Sequence, residues 1–593
     1  MIKALRGAIF ALLFFSCNIV FASALDSQWL KLLRYNKFGN NFESEADSKE
    51  FFLTTNGKYD PQAEYEELFK KLKEPITNEN HAACRFPARS LKIIQDNKML
   101  APQFNKCTKL DKFLRKISPK GASLVFASYF IQKPSSAFGH TFLRLHSNKS
   151  GDSSLLDHAV DFSASVDTQN PIAYGVKGII GGFKGRFSRM PYFLKLREYA
   201  DLDSRDVWEY PLKLSVQELY FLVLHLWEMD QAYFDYYYFS ENCSYHILRA
   251  VEAVTDKDLS QHLKFFVIPI DTIQAMYNEE LIGEPKRIPS QYALVQNGLK
   301  SLSKENTKHI HDFYTNPFGF NLDNINDPKT LDVLIDTLNY KFAEELLTDT
   351  APKNVNLLRN DILTRRSKLG VSSRSSVTKQ VDPVDGHLGS FLNVSGFNQK
   401  TNGIFISHAF ALHQFENPIN GYAANSQMVM GFTELKVTKN DIDLKSFHIF
   451  DVLSAAPSFG LEFKPAWRFS LGIDTDFASD NSRAAFASIH SGISTSPFQG
   501  SLLTAFIGVR PRFETRDNKF YTPLGLSSIF IHNYSNFRYG IESSIHRNFQ
   551  LKRYEFLVRP FLRQQLSQNI DSFASASIYN SDTRFNIGAT FFY

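Results

Sequence analysis

Cysteine is scarce in this chain, four in 593 residues, and no Cys/His cluster has the spacing of metal ligands. No metal and no cofactor is implied. Net charge is small as well, +5 overall, with no long run of lysine or arginine to concentrate it. That argues against a dedicated nucleic-acid binder. The glycine-rich stretch from Gly175 to Phe187 carries no Gly-Lys-Ser/Thr, so it is not a phosphate loop, and its spacing does not match a dinucleotide fingerprint. What the chain has in excess is phenylalanine: 55 Phe and 25 Tyr bring the aromatics to 14%. Such a load suits large apolar cores, a ligand tunnel or a membrane-facing surface, without choosing among them. The length calls for several domains.

The N-terminus reads as a secretory signal over residues 1–24. Lys3 and Arg6 precede the apolar run Ala8–Phe21, and Ala22-Ser23-Ala24 supplies the cleavage site. The run is too short for a lasting membrane span. Cys17 follows the bulky Phe14 and Phe15 and fits a lipidation site poorly. Removal of the signal leaves Cys84, Cys107 and Cys243. The first two share one polar region, 23 residues apart, and an oxidising periplasm favours their pairing. Cys243 is then the odd thiol, either reactive or an inert buried residue.

Two short stretches organise the rest. Ser136-Ala-Phe-Gly-His140-Thr-Phe-Leu-Arg144 reads as a turn entering a strand, and Glu241-Asn-Cys243-Ser-Tyr-His246 as a loop entering a helix. A thiol becomes nucleophilic when a base or cation and a helix N-terminus favour its thiolate. The first-turn N–H groups around Cys243 are also candidates to hold an oxyanion. An activated histidine needs an orienting partner, which a strand over Leu155–Ala164 can supply. Asp161 is the first choice and His158 the second.

Residues 25–118 read as a polar, helical accessory layer, with Asp60-Pro61 as a helix start. Ser123–Ile131 reads as a buried strand. The glycine-rich stretch, with an apolar tip flanked by Lys177, Lys184 and Arg186, reads as a lipid-touching tip or a plain flexible lid. Ser215-Val-Gln-Glu218 is a capping box. Residues 261–363 are mostly helical, and 364–384, basic and serine-rich, read as a linker.

From 385 to 593 the pattern alternates. Trp467, Phe469, Leu471 and Ile473 oppose Arg468, Ser470, Gly472 and Asp474, and Phe585, Ile587, Ala589, Phe591 and Tyr593 oppose Arg584, Asn586, Gly588 and Thr590. Strands of about ten residues with an aromatic C-terminus are the pattern of an outer-membrane β-barrel, of about 8–12 strands at this length. A soluble β-sandwich also alternates.

The motifs Phe126-Ala-Ser, Phe138-Gly-His140-Thr-Phe-Leu-Arg144, Trp208-Glu-Tyr210 and Glu241-Asn-Cys243-Ser-Tyr-His246 resemble the Lnb N-terminal periplasmic domain family, and Cys84-Arg-Phe-Pro-Ala-Arg89 resembles the N-terminal extension found with it. The resemblance covers roughly residues 25–260. It implies a permuted NlpC-like (papain-like) cysteine hydrolase or acyltransferase, with Cys243 as nucleophile and His140 as base. Many members have Asn where Asp161 stands. The family's named member, from Bacteroidetes, is a lipoprotein N-acyltransferase.

The expected fold class is therefore multidomain α+β: a helical extension over 25–118, a thiol catalytic domain over 119–260, a helical connection and a C-terminal antiparallel barrel. The expected protein sits in the outer membrane of a Gram-negative bacterium, with its catalytic domain in the periplasm. The expected activity is cysteine-dependent acyl transfer from phospholipid to a lipoprotein N-terminus or similar amine. A cell-wall amidase or peptidase and a non-enzymatic barrel or scaffold are the alternatives.

Overall fold

The computed structural model describes residues 26–99, 104–129, 138–150, 157–370, 379–399, 402–422, 425–457, 461–475, 483–515, 518–580 and 582–593. The signal reading of residues 1–24 lies outside them. The described chain divides into two units, one within Met1–Ala127, His140–Glu198 and Val207–Ile288, the other within Ser128–Gly139, Tyr199–Asp206 and Pro289–Tyr593.

In the first unit a hairpin of β1 (Tyr35–Phe38) and β2 (Asn41–Ser44) precedes a seven-stranded sheet. Its strands are β3 (Pro119–Ala127), β4 (His140–Ser147), β5 (His158–Ser165), β6 (Phe183–Pro191), β7 (Val207–Pro211), β8 (Phe234–Tyr236) and β9 (Lys286–Ile288). They run antiparallel in the order β8-β6-β5-β4-β3-β7-β9. β3 lies inside the sheet and buries Leu124, Val125 and Phe126 in succession, the texture of a strand covered on both faces. The unit's main helices are α1 (Ser27–Leu32), α2 (Pro61–Lys71), α3 (Pro87–Asp96), α4 (Thr108–Ile117), α5 (Pro171–Ile180), α6 (Tyr192–Arg197), α7 (Val216–Met229) and α8 (Cys243–Glu252). Asp60 caps α2 by accepting from the Ala63 N–H, and Ser215 and Glu218 form the capping box of α7.

Two readings change. The glycine-rich stretch is no loose loop: it is the end of α5 and the start of β6, joined at Gly181, whose φ of 78° suits the turn that ends a helix. Residues 25–118 are helical, yet more than an accessory layer. Arg34, fully buried just before β1, donates from Nη2 to the His246 carbonyl on α8 at 3.1 Å. Arg89 of α3 meets Glu228 of α7 at 3.0 Å with both side chains buried, and Glu228 also accepts from the Ala88 and Arg89 N–H groups. The Cys84–Cys107 disulfide forms, with Cα atoms 5.3 Å apart.

The second unit begins with α9 (Gln291–Ser301), α10 (Lys304–Thr315), α11 (Pro328–Lys341) and α12 (Lys353–Lys368), packed around Ile310, Phe313, Leu334, Leu338, Val355 and Ile362. α12 runs into the stretch read as linker from residue 364. Arg365 pairs with Asp361 and Asp323 there and Arg366 with Asp332, so these basic residues belong to a helix. The serine-rich part at 371–378 lies outside the described residues.

After Phe391 the chain forms one closed antiparallel sheet. Ala411–His413 continues the strand Gly403–Ala409 past Phe410, and Arg512–Glu514 with Lys519–Tyr521 add a hairpin at one rim. Twelve wall strands remain among the described residues, the upper end of the expected range. Phe391–Asn398 pairs with the last strand, Asp582–Phe592, and leaves no edge in the wall. The alternation reads out as expected: Ile489, Ile507, Leu526, Phe585 and Ile587 are exposed outward, while Arg512, Glu555, Asp571 and Thr590 are buried inward. An apolar belt outside and a polar interior are what a bilayer requires of a barrel.

The lumen is crowded. Arg468 pairs with Asp451 on the neighbouring strand and reaches Glu542 at 2.6 Å on a strand that is not its neighbour, and Glu542 also holds Arg559. Residues 414–422 add a strap: Phe415 packs on Phe561, Glu416 pairs with Arg559, and Arg538 donates to the Phe415 carbonyl. A cavity of about 300 Å³ is left among these groups.

Two outcomes are expected. Arg89→Met should destabilise the protein by about 3–5 kcal/mol, because it strands a buried carboxylate, and Arg89→Met/Glu228→Leu should recover much of that in denaturant melts. In planar bilayers the wild-type chain should show no steady ohmic conductance, whereas Phe415→Gly/Glu416→Ala should show one. An open wild-type channel would mean that the strap does not block the lumen.

Candidate functional site

Cys243 is the first residue of α8 and is buried; among the described residues it is the free cysteine. Asn242 caps the helix, its side-chain carbonyl accepting from the Ser244 and Tyr245 N–H groups at 3.1 and 3.3 Å. Its Nδ2 donates to the Val267 and Tyr238 carbonyls at 2.6 and 3.2 Å. The cap therefore fixes where the thiol sits, and its loss should cost about 1 kcal/mol. It also occupies the two N–H groups that follow the thiol, so the first turn is not the open oxyanion site its sequence suggested. The Cys243 N–H is different: it meets the Tyr236 hydroxyl of β8. Burial, with Cys243 and Tyr238 close by, pushes the Tyr236 phenol well above its ordinary range, so Tyr236 is a neutral hydroxyl that can donate.

His140 opens β4 after Gly139, whose φ of 92° only glycine adopts freely, and this turn delivers the ring to the strand's start. The ring Nε2 lies 2.6 Å from Asp161 Oδ1. Asp161 Oδ2 lies 3.1 Å from Lys195 Nζ on α6, and Lys195 in turn reaches Glu198 at 3.2 Å. Burial alone would raise the Asp161 carboxyl, but the His140 and Lys195 cations outweigh it and hold the group well below the usual carboxylate range. With Nε2 engaged, Nδ1 is the nitrogen left for the thiol.

The thiol and the imidazole meet. Burial would push the Cys243 thiol up, yet the His140 charge, a hydrogen bond to the same ring and the Thr141 backbone N–H together hold it below its ordinary value. Cys243, His140 and Asp161 thus form one hydrogen-bonded line. His158 is not on it. It stands three residues before Asp161 on β5, and an odd spacing on a strand sends side chains to opposite faces. There it is buried near Arg189 and Lys116, and burial first, then those two cations, lower its pKa. His246, in the cysteine motif, is structural too: its ring centroid lies 4.1 Å from that of Phe162, tilted against it, and its Nδ1 lies 3.1 Å from Arg34 Nη2.

Lys195 and Tyr236 escaped the sequence reading. Lys195 carries no motif at all, and Tyr236 was one tyrosine in an aromatic run. Arg144 was noted only as part of its motif. Its guanidinium reaches Asp157 at 2.7 Å and Glu209 of β7 at 2.7 Å, and Asp157 accepts from the Ser147 N–H, so it locks the strand that carries His140.

Comparison with known proteins bears on this region directly. Residues 109–279 match the model of the Lnb N-terminal periplasmic domain. The chain carries an Lnb domain. Residues 24–96 match a domain of unknown function (DUF7843), and 380–572 another (DUF7840). None of the curated proteins compared matches the chain. Among solved structures, the KdgM porin is similar at 13% identity, covering 34% of this chain and 99% of its own, with a TM-score of 0.23. The NanC porin (10% identity, 34% and 98% covered, TM-score 0.23) and OmpT of Vibrio cholerae (8%, 34% and 98%, TM-score 0.19) are similar in the same way. At such scores the barrel stands on its own residues: a closed wall with an apolar outer belt. Joined to a periplasmic domain, it makes this an outer-membrane protein with a periplasmic Lnb domain.

The thiol pairing has a pH signature. Because the His140 cation favours the thiolate and burial opposes it, iodoacetamide should alkylate Cys243 of the folded chain below the ordinary thiol range. His140→Ala should move the midpoint of that profile upward, as read by intact mass. An unmoved midpoint would separate the two groups.

Proposed function

We propose that the Lnb domain is a cysteine acyltransferase that takes an acyl chain from a phospholipid and passes it to an amine, such as a lipoprotein N-terminus. The observation that carries this reading is the line of Cys243, His140 and Asp161, with the buried thiol bonded to an imidazole that a charged carboxylate orients. The fold reading that goes with it is a permuted NlpC-like domain. It is supported by a histidine that opens a sheet strand and precedes, in the chain, a cysteine that opens a helix.

His140 Nδ1 takes the thiol proton, and the thiolate attacks the ester carbonyl carbon. The oxyanion that forms has the Tyr236 hydroxyl as its donor, positioned by the Cys243 N–H. As the ester C–O bond breaks, the His140 imidazolium returns its proton to the departing lysophospholipid oxygen and leaves a thioester on Cys243. An incoming amine then attacks the thioester carbonyl and gives its proton to His140, and the C–S bond breaks to release the amide and regenerate the thiolate. Asp161 holds the ring in one tautomer throughout, and Lys195 holds Asp161.

Intact-mass analysis of the full chain in detergent micelles with added phospholipid should find one acyl mass on Cys243. Cys243→Ala should carry none. His140→Ala should lose about 10²–10⁴-fold in adduct rate, and Asp161→Ala less. Peptide release from cell-wall fragments without any lipid adduct would replace this reading with an amidase.

A further inference from the structure

A surface helix normally turns its polar face to water. α5 does the reverse. Val176, Ile179 and Ile180 are 51, 57 and 65% exposed, and a side chain added at Gly175 would meet nothing within 4 Å. These positions share one helical face at spacings of three and four. The opposite side is fixed to the site: the Gly178 carbonyl accepts from the Tyr238 N–H at 2.8 Å, and Tyr174 is close enough to Tyr236 and Tyr238, the neighbours of Cys243, to interact with them electrostatically. Basic residues accompany the helix. Lys177 is on the helix, paired with Asp167, and exposed Lys184 and Arg186 follow on β6 over the Tyr233 ring.

We infer that α5 is a membrane-docking helix: its Val176, Ile179 and Ile180 face enters the interface of an anionic bilayer and seats the Lnb domain on lipid, with the tyrosines around Cys243 directly beneath. The occupant is a bilayer because the same chain carries a barrel with an apolar belt, which keeps a bilayer within reach at high effective concentration. An apolar helix face with a lysine on the helix and exposed basic residues on the strand that follows is also the composition that lies in an anionic interface, its face about 5–10 Å deep. A second copy of the chain would satisfy the apolar face but gives no reason for the cations. Docking itself does not depend on the acyl-transfer reading; only the further step, in which the docked lipid's ester reaches Cys243, rests on it.

The test uses the full chain in vesicles of phosphatidylethanolamine and phosphatidylglycerol at about 3:1, a charge at which polybasic contacts count, with bromines on the acyl chains. Ile179→Trp should add blue-shifted emission that bromolipid quenches, relative to wild type. Val216→Trp, at a position 85% exposed on the same unit, should add emission that is not quenched. Equal quenching of the two, or none at Ile179→Trp, overturns the proposal, and so does an Ile179→Trp signal that responds to protein concentration and not to bromolipid. Ile179→Glu/Ile180→Glu should lower the acyl adduct from vesicle lipid at least tenfold while iodoacetamide labelling of Cys243 stays unchanged. Cys243→Ala/Ile179→Trp should still be quenched. Quenching without any adduct on the wild-type thiol keeps the docking helix and removes the acyltransferase.

Discussion

The contact between His140 and Asp161 ties the site together. At 2.6 Å it binds the start of β4 to the middle of β5, commits one ring nitrogen and turns the other toward the thiol. The carboxylate would be costly to bury alone, and two cationic partners offset that cost from opposite sides, His140 on one oxygen and Lys195 on the other. Each partner comes from a different element, so the geometry of the site reports on the packing of β4, β5 and α6 at once. Arg144 extends the same logic one step away, joining β4 to Asp157 and β7. The line of three groups therefore stands on a charged frame.

Much of this was legible because strand and helix periods are simple. A cysteine that opens an apolar-faced helix and a histidine that opens a strand can be read from residue order, and so can a succession of alternating strands, though not their number. The choice between Asp161 and His158 was legible only as a preference. Both are polar residues on one strand, and a one-residue difference in register exchanges the faces they occupy. Lys195 was invisible, since a lone lysine on a short helix looks solvated until the fold places a carboxylate above it. Tyr236 was hidden for the opposite reason, as one of several neighbouring tyrosines equally able to reach the thiol.

The larger misreadings share a cause: local composition was allowed to stand for tertiary contact. Glycines at 175–187 suggested a loop, but Gly178 is where α5 meets the Tyr238 backbone, a contact that sequence does not display. Polar residues before 118 suggested an accessory layer, yet Arg34 and Arg89 are buried and bonded to α8 and α7. Arg365 and Arg366 looked like linker residues because their acidic partners lie up to 42 residues away in the chain. In each case a charged or glycine residue gains its partner only in the folded chain.

The two sulfur arrangements of the first unit constrain one another. In an oxidising compartment a thiol held toward its thiolate form reacts readily with any accessible cysteine, because the thiolate attacks and burial does not stop a partner within the same fold. Here the other two described cysteines are already joined to each other, tying the start of α3, just after Cys84, to the start of α4, just after Cys107. Cys243, buried in the same unit, has no cysteine partner left among the described residues. Burial opposes the thiolate, and His140 supplies the charge that nonetheless holds so enclosed a sulfur below the ordinary thiol range.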